Sequence, residues 1–383
     1  MFQRKIRVLH LLPAFTVGGP GNVVKTLINN IDRSQFEISC CSMYSSQEGC
    51  SLSIDPEIEH ICLKMKNFLE PNILLKLAKL IKKNSFDIVH THCLRPDWYG
   101  RVTARWCNIP VVSTIHAQDR CYNYIDFGFF KGKIVAAITR STMRFVNTFI
   151  AVSEGVKDYL ISFEGIAKER IVVVHNGIEV NEFDLSKINV FASKQKLGIL
   201  DNTLVVGSVA VLNYRKGLGC LLNAACKVIK FIPNVKFIIV GVGPEENKLK
   251  KLATRLGIED KVIFMVEQYA SVLPIVASMD IFILPSFVEG LGIAVLEAQA
   301  LKKPCIVTDI PGLRETVIKD QTALVVPPRD EGALAGAILS LLFDKERRLS
   351  MGEAGRQHVI NNFSASQMAR KYEIVYKKTL CLS

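Results

Sequence analysis

The sequence predicts an α/β protein built from two doubly wound, parallel-sheet units. Two observations carry this. Short apolar runs rich in Val, Ile and Leu recur along the whole chain, separated by segments with an apolar residue every three or four positions. Strand and helix alternating in this way build parallel sheets with helices on both faces. The chain also has 383 residues, 49% of them hydrophobic, which is too long for one average domain and ample for two cores.

In order, the runs at 6–12, 36–41, 88–90, 111–115, 149–152 and 171–174 read as strands of a first unit. Those at 204–209, 235–240, 262–265, 281–284, 305–308 and 323–326 read as strands of a second. Between strands, Ile73, Leu74, Leu77, Leu80 and Ile81 share one helical face, and Lys76, Lys79, Lys82 and Lys83 lie off it. An Asn176-Gly177 turn and a polar stretch over 178–200 separate the units, giving expected domains at 1–185 and 186–362 and a helical tail at 363–383.

The net charge is +12, from 48 basic and 36 acidic residues spread over both halves. That balance suits anionic partners such as nucleotide diphosphates or anionic lipid surfaces. Nucleic acid is set aside, because no recognisable module or aromatic–basic array is present. Eleven cysteines, an odd number with no Cys-x-x-Cys pair, fit neither a disulfide framework nor a zinc ligand set. They read as reduced, mostly buried thiols of a cytoplasmic protein. The basic start before Ile6 could mimic a signal peptide. Its apolar run is short, is interrupted by His10 and has no cleavage site after it, so a first strand is expected. No run approaches the ~20 apolar residues that span a bilayer.

The chemistry concentrates in Leu284-Pro285-Ser286-Phe287-Val288-Glu289-Gly290-Leu291-Gly292, which leads from a strand into a helix carrying Glu297. Eight helical residues would put Glu289 and Glu297 roughly 12 Å apart, the reach needed to hold a sugar and a ribose. Gly290 and Gly292 let backbone N–H groups approach a diphosphate at a helix N-terminus, where the dipole favours anions. Gly18 and Gly19 form a second glycine loop, before a helix expected near Asn22. His90 and His92 alternate on a strand and face one side, but no third metal ligand stands nearby in sequence. His116 follows a buried strand, at the end that lines the crevice of an open parallel sheet.

The Glu-x7-Glu spacing after Pro-Ser-x-x-Glu-Gly resembles the retaining glycosyltransferases of GT-B family 4. Val206 to Gly217, Ile239-Val240-Gly241-Val242-Gly243-Pro244 and Gly312-Leu313-Arg314-Glu315 are similar to further family segments. The resemblance implies two Rossmann-like domains facing a cleft, the donor mainly on the second, and the tail crossing back to the first. It implies transfer of a hexosyl unit from a nucleoside-diphosphate sugar, UDP- or GDP-linked, to a glycan or lipid-linked acceptor. Anomeric configuration would be retained, with neither metal nor cofactor. Lys216, Arg215, Gly18, Gly19 and the Gly290-Leu291-Gly292 turn would hold the diphosphate. Glu297 would take the ribose hydroxyls, Glu289 the sugar hydroxyls, and His116 would lie near the reacting sugar. Four positions depart from the family pattern: Val211 replaces its arginine, and Lys302, Pro311 and Ala323 replace glycines. These keep a non-catalytic nucleotide-sugar-binding relative open as the alternative. From Phe127 through Thr148 there is no acidic residue, and the aromatic, basic segment Phe127 to Lys133 suits a face docked on the inner side of an anionic membrane.

Overall fold

The computed structural model describes residues 4–15, 18–45, 54–67, 69–118, 128–266 and 269–381. Phe127 and the side chain of Phe129, cited above, lie outside the described residues. The chain forms two compact units. One joins Met1–Gly177 to Ala365–Ser383, and the other is Ile178–Ser364.

The first unit contains β1 (Ile6–Leu12), β2 (Phe36–Ser42), β3 (Glu59–Cys62), β4 (Ile88–His92), β5 (Val111–Ile115), β6 (Thr148–Ala151) and β7 (Ile171–Val173). They form one sheet in the order β3-β2-β1-β4-β5-β6-β7, with every pairing parallel. The second contains β8 (Leu204–Val209), β9 (Val235–Val240), β10 (Val262–Met265), β11 (Ile281–Leu284), β12 (Cys305–Thr308) and β13 (Ala323–Val326). Their order is β10-β9-β8-β11-β12-β13, again all parallel. In each sheet the strand order reverses once, between β1 and β4 and between β8 and β11. A crevice opens beyond the carboxyl ends of the strands at such a point.

Four expectations are corrected. β3 was absent from the sequence reading, because Glu59 and His60 break its apolar run and it pairs only with β2 at the sheet edge. The first helix spans Gly19–Asn30 and so starts three residues before Asn22, with Pro20 in its first turn, where proline's fixed φ fits. The boundary between units lies at 177/178 and 364/365, whereas the sequence placed it at 185/186 and 362/363. Ile178 N–H donates to Phe363 O at 2.9 Å and bridges to Ser364, which ties both ends of the second unit together. The nine cysteines among the described residues are free, but only Cys40, Cys41 and Cys305 are buried, fewer than the composition suggested.

The helix Ala365–Cys381 completes the first unit. It buries Tyr372, Val375, Tyr376 and Thr379, and its Glu373 caps the backbone N–H of Asp32 at 2.9 Å. Another helix, Leu94–Trp106, brings an ion pair into the core of this unit. Arg101 and Asp97, one turn apart, meet at 3.0 Å with neither side chain more than 1% exposed. Thr91 of β4 donates to Asp97, and Arg101 Nε donates to Ser113 of β5 at 3.1 Å. Burial pushes the Asp97 carboxyl up, against the pull of Arg101. Removing one partner strands a buried charge, at a cost of roughly 3–5 kcal/mol, whereas replacing both with apolar groups costs far less. Urea unfolding of the first unit is therefore expected to show a large loss for Arg101→Met and a partial recovery for Arg101→Met/Asp97→Leu. A double variant as unstable as the single one would show that the pair is needed for more than charge balance.

Candidate active site

In the second unit the loops that follow β8 and β11 emerge side by side at the strand-order reversal. They touch through backbone: Phe287 N–H donates to Arg215 O at 2.7 Å. Gly217 sits at φ 64°, and a Cβ there would lie 2.0 Å from Pro285 O, so only glycine lets the loops close this far. Tyr214 packs edge-on to the Phe287 ring at 5.4 Å, and the Arg329 guanidinium lies 4.9 Å from the same ring.

This closure carries Lys216 onto Glu289. Lys216 Nζ lies 2.5 Å from Glu289 Oε1, and Ser286 Oγ donates to the same oxygen at 2.8 Å. Glu289 is buried and Lys216 half-buried. The Thr308 hydroxyl holds the Ser286 carbonyl, and Gly312 backs the loop so tightly that a Cβ would meet Glu289 O at 2.5 Å. The cation expected for a diphosphate and the carboxylate expected for a sugar thus form one ion pair here.

The helix beyond the loop runs from Ile293 to Ala300, so Glu297 lies little more than one turn into it, not two. The interval from Glu289 is half loop, and the helical spacing inferred from sequence does not apply across it. Glu297 instead borders a narrow apolar pocket with Val209, Leu273, Val276, Phe282 and Ala294. Gly290, Leu291 and Gly292 are buried, and Gly292 N–H faces Gly312 O at 3.4 Å. Arg215 is half-buried, while Val211 at the usual arginine position is 55% exposed. Lys302 adopts φ 54°, the left-handed conformation its usual glycine would take freely, and Nζ pairs with Glu353 at 2.6 Å. Ala323 is buried in β13, and Pro311 opens the short helix Pro311–Arg314.

In the first unit, Gly18 and Gly19 stand exposed at the start of their helix. The histidines assemble around the reversal between β1 and β4. His92 Nδ1 lies 3.1 Å from His116 Nε2, and His92 Nε2 lies 3.1 Å from His10 Nδ1. His10 Nε2 reaches the Tyr376 hydroxyl at 3.2 Å, and that hydroxyl reaches His90 Nδ1 at 2.7 Å. His90 Nε2 meets Thr114 Oγ1 at 2.8 Å. Burial holds all four imidazoles below their usual range, His10 near 3 and His116 near 4, with neighbouring rings adding to the effect at His90 and His92.

His10 supplies the third ring, which no residue near His90 and His92 in sequence offers. It brings a ring nitrogen within 4.8 Å of those of His90 and His92, the donor set of a metal site. All six nitrogens of these three rings already have hydrogen-bond partners, so the cluster reads as a closed network. Its signal was the parallel register that sets His10 opposite His90. Ser286, Tyr372 and Tyr376 were missed as well, the tyrosines because they lie about 260 residues or more from their partners.

Two family descriptions match the chain: "Glycosyltransferase Family 4" over residues 17–182 and "Glycosyl transferases group 1" over residues 189–358. An uncharacterized glycosyltransferase of Methanocaldococcus jannaschii is 26% identical over 95% of both chains. The UDP-Gal:α-D-GlcNAc-diphosphoundecaprenol α-1,3-galactosyltransferase of Escherichia coli is 28% identical over 82% of this chain and 81% of its own. The solved structure of Anabaena HepE in complex with UDP-glucose superposes with a TM-score of 0.82 at 19% identity, covering 99% of this chain and 100% of that one.

Gly217→Ala is expected to cost roughly 1–2 kcal/mol for its left-handed backbone alone, and more for the displaced Pro285. Gly336→Ala, at an exposed position of the helix Glu331–Phe343 with open space around it, should stabilise by ~0.5–1 kcal/mol. Urea unfolding of the two variants checks the contrast, and a mild Gly217→Ala would show that the loops do not close as described. The histidines set a pH dependence. Unfolded imidazoles bind protons below about 6.5, while the folded ones stay neutral to much lower pH, so stability present above 6.5 is lost as pH falls toward 4. The urea midpoint of the first unit is expected to drop between pH 7 and pH 5 in wild type, and less in His10→Gln.

Proposed function

We propose that the chain, which belongs to glycosyltransferase family 4 and transfers glycosyl groups from nucleotide sugars, moves a hexosyl unit with retention of anomeric configuration and without a metal ion. The acceptor is a glycan or a lipid-linked sugar. The observation that carries this is the Lys216–Glu289 pair, where the loops after β8 and β11 meet at the strand-order reversal. An entering diphosphate would compete for the lysine and free Glu289 to accept sugar hydroxyls. Glu297 would hold the ribose, and Arg215, Gly18, Gly19 and the Gly290–Gly292 turn would contact the diphosphate. His116 would contact the sugar. Positive side chains and a helix N-terminus then offset charge on the leaving group, in place of a cation. The UDP-glucose in Anabaena HepE and the diphosphoundecaprenol-linked acceptor named for the E. coli relative support a UDP-sugar donor and a lipid-linked acceptor.

Glu297→Ala is expected to raise the donor KM about tenfold, the loss of ~1.4 kcal/mol of ground-state binding. Glu289→Gln should lower kcat by a similar factor without raising KM, because the carboxylate orients the sugar as charge develops and its loss leaves Lys216 free for the diphosphate. Steady-state kinetics with a panel of UDP- and GDP-sugars reads both, and turnover should persist in EDTA. Unchanged constants in both variants would remove these roles, and loss of turnover restored only by a divalent ion would overturn the metal-free reading.

No helix among the described residues is long and apolar enough to cross a membrane. The helix Phe129–Met143 instead presents Phe130 (80% exposed) and Ile134 (62%) one turn apart, among exposed Lys131, Lys133, Arg140 and Arg144. We read this face as a peripheral contact with anionic lipid on the cytoplasmic side. Each lysine near such a surface contributes about 1 kcal/mol. Co-sedimentation with phosphatidylglycerol vesicles is expected, weakening with salt and by at least about thirtyfold in Lys131→Glu/Lys133→Glu. Equal partitioning onto neutral vesicles would overturn it.

A further inference from the structure

We propose that the hydroxyl of Tyr376, on the helix Ala365–Cys381, fixes the tautomer of His116 through a one-way relay of two buried imidazoles. The contacts form an unbranched line. Tyr376 Oη meets His10 Nε2, His10 Nδ1 meets His92 Nε2, and His92 Nδ1 meets His116 Nε2, at 3.2, 3.1 and 3.1 Å. A neutral imidazole carries one N–H and one bare nitrogen, so each ring that accepts at one end must donate at the other. Burial keeps these rings neutral near pH 7. The polarity of the line is therefore all-or-none, and whichever group has the fixed proton sets it.

Tyr376 is that group. Its hydroxyl has two imidazole partners and one hydrogen. O–H donors make shorter bonds on average than N–H donors, so we assign the hydroxyl proton to the 2.7 Å contact with His90 Nδ1 and a ring proton to the 3.2 Å contact with His10 Nε2. The hydroxyl thus donates to His90 and accepts from His10. His90 in turn donates its Nε2 proton to Thr114 Oγ1 at 2.8 Å, which leaves its two nitrogens consistently assigned. Along the other arm His10 carries its proton on Nε2, so does His92, and so does His116. The remaining nitrogen of His116, Nδ1, is then a bare acceptor.

The consequence for transfer rests on the reading that His116 contacts the donor sugar. In this tautomer it accepts a hydrogen bond from a sugar or acceptor hydroxyl, and in the reversed one it would offer a proton instead. Tyr376, His10 and His92 are positioning residues for that nitrogen. Loss of the Tyr376 hydroxyl leaves His10 Nε2–H without an acceptor in the core. Orphaned buried N–H groups are rarer than orphaned acceptors, so the line is driven to reverse.

The test is the 15N spectrum of histidine-labelled protein at pH 7.5, with each ring assigned by single substitution. Wild type is expected to show His116 with a protonated Nε2 and a pyridine-like Nδ1. Tyr376→Phe should give His116 a population with Nδ1 protonated, whereas Tyr372→Phe, which removes a hydroxyl that meets Thr114 and lies off the line to His116, should leave it as in wild type. In the transfer assay Tyr376→Phe should lower kcat about tenfold with donor KM within twofold. A wild-type His116 protonated on Nδ1 overturns the relay, whatever the variants do. So does an unchanged His116 spectrum in Tyr376→Phe, or stoichiometric zinc bound by His10, His90 and His92. If His116→Gln transfers at the wild-type rate while the spectra behave as expected, the sugar contact fails and the relay stands.

Discussion

The site depends on one close approach: the left-handed turn at Gly217 against the carbonyl of Pro285. Parallel strands β8 and β11 lie side by side, but their loops would normally be held apart by side chains. Here two backbones meet, and the loops become one surface. Lys216 and Glu289 come from opposite sides of that seam, separated by 73 residues in sequence, and their pairing is a product of the closure. Ser286 and Thr308 then pin the Glu289 loop from below, so the carboxylate is oriented before any ligand arrives.

The two units handle buried polarity differently. At its candidate site the second sets a half-buried lysine, Lys216, against the buried Glu289, a pair with one member open to exchange. The first takes polarity fully inside. Its ion pair at Asp97 and Arg101 is stitched to two strands, and its imidazoles are stripped of charge and joined ring to ring. A pair with one member open can trade partners, whereas a sealed network can only rearrange as a whole.

How much of this was legible in the sequence follows from the reach of each signal. The six strands of the second unit match the sequence reading residue for residue, because strands covered on both faces must be continuously apolar. β3 escaped because an edge strand needs no such run. The Glu289 and Glu297 pattern identified the right segment, but a spacing of eight carries no information about where loop ends and helix begins, and the true break at Gly292 halves the helical interval. His90 and His92 were visible as a pair. His10 was visible only as a flaw in an apolar run, since nothing local says that β1 and β4 are neighbours. The tyrosines were out of reach entirely, supplied by a helix whose sequence shows only amphipathic periodicity.

The interleaving of the chain sets an order for its synthesis. The second unit is one uninterrupted stretch, closed by the bond between Ile178 and Phe363, and every residue it needs has been made once Ser364 has been added. The first unit begins earlier and finishes later. Its sheet emerges from the ribosome first, yet Phe36, His10 and His90 must wait for Tyr376 to cover them. Domains commonly fold as units during translation, the earlier one first. Here the nascent first unit stays open along one face while the second matures, and a chaperone that shields β1, β2 and β4 would have that whole interval in which to act.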